Sequence, residues 1–405
     1  MTKAINIFRQ EKNYLRLFLA GIVNGIGDRF SQVALLALLL ELTGSGFAVG
    51  IALAIRVVPF LLFGPLGGFL ADRFSRKRIL IITDLSRIAF AISFVFVNNK
   101  SDIWIVYLST FVLAAGEAIY APARKSFISL LVKKENIIKI NSLEQVMLGV
   151  VLIAGSFSGG IVTFFFGPDM TFWLNGLSFL MAAIIIFPIP FTNKNRHIQK
   201  NGESNIFHSL KIIKKLMITS SALYIAFLFE LIAPLFNGID NVLISIYAVQ
   251  EFNLGDIGVG LFYGALGIGL MLSFIIAQRV HQHLLLIGLA ALILEGLFLI
   301  ILSQVHLAFI AFIIYISISF VSGICNTCFD SIVMKETPSD HQGLVFGLLT
   351  TISNTLIGIS MFGAGIILEV VNNRMLGLIG GMGFVLTGLF LIVAYSSIDI
   401  GHQTK

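Results

Sequence analysis

A chain of 405 residues with 57% hydrophobic and only 12% charged residues falls outside the ordinary soluble proteins, whose charged share is about 25%. Its formal charge of +6 does not imply a nucleic-acid partner, because the basic residues sit in short loops between apolar runs and no lipid-free basic domain holds them. Cys325 and Cys328 are the only two cysteines, which excludes a disulfide framework and a cysteine zinc site.

A hydrocarbon core of about 30 Å needs about 20 helical residues, and runs of that length recur throughout. A β-barrel would show alternating segments of about ten residues instead. The N-terminal stretch is basic (Lys3, Arg9, Lys12, Arg16) and leads into a run too long for a signal-peptide core, so it reads as a retained first helix. Twelve spans are predicted. The first six are Tyr14–Leu42, Phe47–Ala71, Ile79–Val97, Ile103–Tyr120, Asn141–Phe166 and Thr171–Phe191. The second six are Met217–Tyr247, Ile257–Ala277, Leu284–Ser303, Leu307–Phe329, Gly343–Leu368 and Leu376–Tyr395. Between them lies the polar stretch Thr192–Lys215. The expected organisation is an N-terminal bundle (1–191), a cytoplasmic linker (192–216) and a C-terminal bundle (217–405). With both termini cytoplasmic, the inner loops take Arg73, Arg76, Lys77, Arg78, Arg124, Lys125, Lys133 and Lys134, as the positive-inside rule requires. Trp104 and Trp173 then start spans at the outer interface, where indoles settle.

In the first span, Asn24, Asp28, Ser31 and Gln32 are spaced to share one helix face. A carboxylate at mid-span is costly in hydrocarbon, so Asp28 is expected to face a cavity and is a candidate proton carrier. A static pair with Arg29 or Arg56 remains the alternative. After the second span comes a dense loop, Gly68-x-x-x-Asp72-Arg73-x-x-Arg76-Lys77. Glu117 and Arg124, seven apart on the fourth span, form a candidate gating ion pair. The fifth span clusters Gly155, Ser156, Gly159 and Gly160, small residues that allow close helix contact.

The seventh span carries Glu230, Pro234, Asn237 and Asn241 at helical spacing, with Glu230 a second candidate proton carrier. Pro234 would free a carbonyl, tolerable only against protein or water. Asp240 is expected to be solvated near the outer mouth. Glu295, mid-span on the ninth helix, has no assigned role. Asn326 joins Asn24, Ser31, Gln32, Asn237 and Asn241 as candidate cavity or substrate contacts. No P-loop, Gly-x-Ser-x-Gly or metal-ligand spacing is present, and His281-x-His283 reads as interfacial. No enzyme activity, cofactor or metal is therefore expected.

The loop motif, with GIGDRFSQVAL (Gly25–Leu35), ELTGS (Glu41–Ser45), PFLLFGPLGGFLADRFSRKR (Pro59–Arg78), APARKSFISLLV (Ala121–Val132) and GLVFGLL (Gly343–Leu349), resembles the major facilitator superfamily. The similarity spans the chain and is nearest its drug-efflux branch, the macrolide-efflux and enterobactin-exporter-like proteins. The resemblance implies an all-α membrane protein, with twelve transmembrane helices in two pseudo-symmetric six-helix bundles around a central cavity. It also implies proton-coupled efflux of amphipathic small molecules by a monomer in the cytoplasmic membrane. Spans one, four, seven and ten would line the cavity, and two, five, eight and eleven the moving interface.

In that setting Gly68 lets helices approach closely, and Asp72 sits against the positive end of the eleventh helix near Gly343. Arg73, Arg76 and Lys77 would anchor to headgroups; the bland alternative is that these charges only obey positive-inside. The run Gly155–Gly160 is similar to the antiporter motif Gly-Pro-x-x-Gly-Gly, with Ser156 in the proline position. The repeat of the loop motif after span eight has decayed, with Gln278 in the place of Asp72. Gly27-Asp28 and Pro122-Ala123-Arg124 also resemble a lysophospholipid flippase of the same fold. A non-transporting receptor or scaffold is the alternative of a different class, and it would need neither Asp28 nor Glu230 inside the membrane.

Overall fold

The computed structural model describes residues 2–44, 46–190 and 206–403, and among these there are helices and no strand. In chain order they are α1 (Thr2–Gln10), α2 (Lys12–Thr43), α3 (Gly46–Arg73), α4 (Arg76–Ser93), α5 (Ile103–Leu131), α6 (Ile137–Phe166) and α7 (Pro168–Ile186). There follow α8 (Ile206–Thr219), α9 (Ser221–Ile246), α10 (Gly255–Ala277), α11 (Leu284–Gln304), α12 (Ala308–Glu336), α13 (Gln342–Ile367) and α14 (Asn373–Gln403). Eleven helices among the described residues are long and apolar enough to cross a membrane. Side chains such as Phe187, Ile257, Phe309 and Phe362 are more than 70% exposed. Exposed apolar surface of this kind is tolerated where lipid replaces water.

The fourth predicted span ends at Tyr120, but α5 runs on to Leu131 through a buried Pro122. A proline inside a helix leaves the carbonyl four residues earlier without its usual donor, and burial against neighbouring helices tolerates this. The basic segment Arg124–Lys125 is therefore helical rather than a loop. Most of the linker predicted at 192–216 lies outside the described residues. Its last part is α8, which begins at Ile206.

The chain forms two compact units. In the first, α2 packs on α7, α7 on α4, α4 on α5, and α5 on α3. In the second, α9 packs on α14, α14 on α11, α11 on α12, and α12 on α10. Each element of the first series has its counterpart at the same place in the second, so the two units repeat one packing order.

The units do not follow sequence halves alone. Residues 134–149 belong to the second unit and 338–351 to the first, so α6 and α13 each supply both. Within the first unit, Gly155 of α6 lies against Arg29 of α2. Within the second, Gly238 of α9 meets Ile357 and Ser360 of α13, and the Ser360 hydroxyl donates to the Leu235 carbonyl.

Candidate functional site

The polar centre of the first unit is built around Arg87, which projects from the middle of α4 and is only 3% exposed. Its Nη2 donates to Asp28 Oδ2 of α2 at 2.8 Å. Its Nη1 faces Glu117 Oε2 of α5 at 3.2 Å, a charge contact without hydrogen-bond alignment, because Nη1 and Nε have no hydrogen-bond partner. The guanidinium carbon lies 4.2 Å from the centroid of the Phe179 ring of α7, which adds a cation–π contact. Gly116 makes the arrangement possible: a Cβ there would lie 2.8 Å from Arg87 Cδ.

One turn earlier on α4, Asp84 is fully buried. Its Oδ1 accepts from Asn24 Nδ2 at 2.9 Å, and its Oδ2 has no hydrogen-bond partner. Asn24 and Asp28, four residues apart on one face of α2, thus hold two side chains three apart on α4.

A cavity of about 70 Å³ opens beside this group, with Asp28, Ser31, Gln32, Arg56, Thr110 and Glu117 in its walls. One water needs about 10–15 Å³ of such volume and a drug-sized ligand about 300 Å³ or more, so the space suits a few waters. The two carboxylates meet it: Asp28 is 30% and Glu117 39% exposed, against 3% for Arg87. The chemistry is that of one permanent cation shared by two water-accessible acids. Protonating either acid removes one of the guanidinium's two charged partners and leaves it held by the other.

Several expectations change here. Neither Arg29 nor Arg56 holds Asp28 in the closest pair; Arg87 does, and Arg29 bonds weakly to Gln32 at 3.5 Å. Glu117 was matched in sequence with Arg124, but its 3.2 Å partner is Arg87. Arg124, itself buried, contributes only longer-range attraction. Asn24 bonds Asp84 instead of lining the cavity with Asp28, Ser31 and Gln32. Arg87, Asp84 and the cavity residue Asn175 were missed. The available signal was Asp84-x-x-Arg87, two charges at i,i+3 within an apolar run.

The loop motif sits at the end of α3. Asp72 Oδ1 accepts from Gly343 N–H at 2.7 Å, and Oδ2 accepts from Leu344 N–H at 2.8 Å. A carboxylate thus meets the N-terminal amides of α13, where unpaired donors and aligned dipoles favour negative charge. Gly68 allows the approach, since a Cβ there would lie 2.8 Å from Leu344 Cα. Arg76 Nη2 bonds Asp72 Oδ1 at 3.2 Å and the Ser339 carbonyl at 2.6 Å. Arg76 and Lys77, expected at the headgroups, are buried, with Lys77 Nζ 5.3 Å from the Phe187 ring centroid; Arg73 is exposed. Asp72→Asn should keep one acceptor for α13 but lose the charge. Membrane insertion should match wild type while flux falls several-fold, as read by membrane-fraction yield beside vesicle transport.

In the second unit, Glu230, Asn237, Asn241 and Asn326 are half-buried. Asn237 Nδ2 donates to the Ala233 carbonyl at 3.3 Å, and Asn241 Nδ2 to the Asn237 carbonyl at 2.9 Å. Their amide donors are thus engaged on their own helix. Asp240, expected to be solvated, has a buried Oδ1 without a hydrogen-bond partner. Of the glycine-cluster motif, Gly155 and Gly159 are buried in α6, and the surroundings of Ser156 and Gly160 lie outside what the structure describes.

Comparison with known proteins agrees with this architecture. The Major Facilitator Superfamily matches over residues 17–361. The uncharacterized MFS-type transporter YfiS of Bacillus subtilis (strain 168) is 24% identical over 405 residues, covering 96% of this chain and 94% of that protein. Macrolide efflux protein A of Streptococcus pyogenes is 30% identical over 125 residues, 30% of this chain and 31% of that protein. The human organic anion transporter MFSD10 superposes with a TM-score of 0.77 at 15% identity, covering 93% of this chain and 99% of that one, a likeness of fold. By its matched length, its full-length relative and its helical architecture, the chain belongs to the Major Facilitator Superfamily.

Proposed function

We propose that the protein is a monomeric, proton-coupled exporter of amphipathic small molecules in the cytoplasmic membrane. It would work by alternating access between two six-helix bundles, 1–191 and 217–405, twelve spans in all with both termini inside. The observation that supports proton coupling is the pair of water-accessible carboxylates, Asp28 and Glu117, sharing one buried Arg87. Arginine does not release its proton in proteins. Any proton taken from the cavity therefore goes to a carboxyl, and its arrival weakens the hold of Arg87 on one of the two helices it joins. Because α2, α4 and α5 each carry one member of this group, a proton at the site alters attractions among three helices. That is a physical route from protonation to a change of packing.

Export of drug-type solutes draws support from the partial likeness to Macrolide efflux protein A and from the sequence motifs. Asp72 and its loop would act as the gate, with Gly155, Ser156, Gly159 and Gly160 at the moving contact. Ser31, Gln32, Asn237, Asn241 and Asn326 are the remaining cavity candidates, and Glu230 the second carrier candidate.

The test is growth of a pump-deficient bacterial host, with and without this chain, across a chemical panel containing macrolides and siderophores. For any solute it protects against, accumulation in everted vesicles should collapse when a proton ionophore is added. Protection that survives ionophore addition would refute proton coupling. Lysophospholipid movement without drug accumulation would favour the flippase reading instead.

A further inference from the structure

The repeated packing order makes α2, α4 and α5 equivalent to α9, α11 and α12. Counted from the helix starts, Asp28 is residue seventeen of α2 (from Lys12) and Asn237 residue seventeen of α9 (from Ser221). Arg87 is residue twelve of α4 (from Arg76) and Glu295 residue twelve of α11 (from Leu284). Glu117 is residue fifteen of α5 (from Ile103) and Ser322 residue fifteen of α12 (from Ala308). The second-unit members of the last two pairs are also in contact: the Glu295 carboxyl hydrogen-bonds Ser322, as Arg87 meets Glu117.

The second unit therefore keeps the place of the polar centre and changes its contents. An acid occupies the position of the central cation, a hydroxyl replaces one flanking acid, and an amide replaces the other. Glu295 is only 5% exposed, yet among the described residues no basic one is an interacting neighbour. From α9 the neighbouring ionisable group is Asp240, and from α12 it is Cys325. Helix α14 meets this turn with Gly381, Phe384 and Gly388. Leaving a carboxylate ionised and unpaired in such surroundings is costly, and binding a proton removes that cost. Cys325 lies within electrostatic reach of both Glu295 and Glu230.

We propose that Glu295, held by Ser322, is a second proton-binding site, the counterpart in the second unit of the Asp28–Arg87–Glu117 group. Its part in a transport cycle rests on the proton-coupled reading above. Its occupancy by an exchangeable proton does not, and it is measured without any substrate.

The experiment uses the full chain in lipid vesicles treated with dicyclohexylcarbodiimide, an apolar reagent that modifies the neutral acid form, with peptide mass analysis at Glu295. Strong labelling in acid buffer should fall at least tenfold in alkaline buffer, and Glu295→Gln should show none while keeping normal membrane yield. In parallel, the infrared carbonyl band of a protonated carboxyl should titrate in wild type and be absent from that difference spectrum in Glu295→Gln. Labelling and a band that do not change with pH would overturn the proposal, as would absence of both. Sodium protection at fixed pH would also overturn it, assigning the site to a metal cation. Because Asp28→Asn leaves Glu295 intact, failure here and failure at the first site are separate results.

Discussion

Arg87→Leu is expected to destabilise the first unit by about 3 kcal/mol and to abolish transport. Removing one member of a buried ion pair leaves its partner uncompensated, at about 3–5 kcal/mol. The low end applies because Asp28 and Glu117 are each about a third open to the cavity, and water there offsets part of the loss. The contact with Phe179 goes too. Arg87→Lys separates charge from geometry. Lysine keeps one positive charge but has no planar fork with which to address acids on two helices at once. Its melting temperature should stay near wild type while flux drops about tenfold or more, the loss expected when binding worth about 1.4 kcal/mol goes missing from a required state. Near-normal flux in Arg87→Lys would mean that the shared guanidinium is not the switching element.

How much of this was visible in sequence depends on whether the information is local. Span lengths, the apolar surplus and the loop from Gly68 to Lys77 are local, and they led directly to an all-helical membrane chain with matched halves. The capping of α13 by Asp72 was implied by the superfamily resemblance; local chemistry says only that a carboxylate at a loop end suits a helix N-terminus, not which one. The partners of intramembrane charges were not legible. Glu117 and Arg124 share a helix face, which sequence spacing can detect, but whether α4 passes closer to Glu117 is decided by tertiary packing. Here Gly116 admits the Arg87 side chain against α5, and the nearer cation prevails. Arg87 itself escaped notice because the third span satisfies the hydropathy criterion despite its charges; Asp84 and Arg87 were averaged away within the run. Glu295 was seen but had no meaning until the packing order aligned α11 with α4.

Asp28→Asn tests the coupling step most sharply, because the substitution preserves shape and one acceptor oxygen. The asparagine carbonyl can still take the Arg87 hydrogen bond, so folding and membrane yield should hold. What disappears is one of two charged contacts: Arg87 keeps Glu117 at 3.2 Å and the longer-range attraction of Asp84 on its own helix, and no proton can release a charge at position 28. One proton exchanged per cycle across a gradient of one pH unit supplies about 1.4 kcal/mol, enough for about tenfold solute accumulation. If Asp28 carries that proton, accumulation by the variant in everted vesicles should fall toward unity and lose its pH dependence. Solute–solute exchange, which needs no net proton movement, should persist. Glu117→Gln gives the reciprocal comparison: loss of coupling in both variants assigns the proton to the pair, whereas loss in only one assigns it to that residue. Wild-type, pH-driven accumulation in Asp28→Asn would remove this acid from the coupling step and leave Glu117, Glu230 or Glu295 to carry the proton.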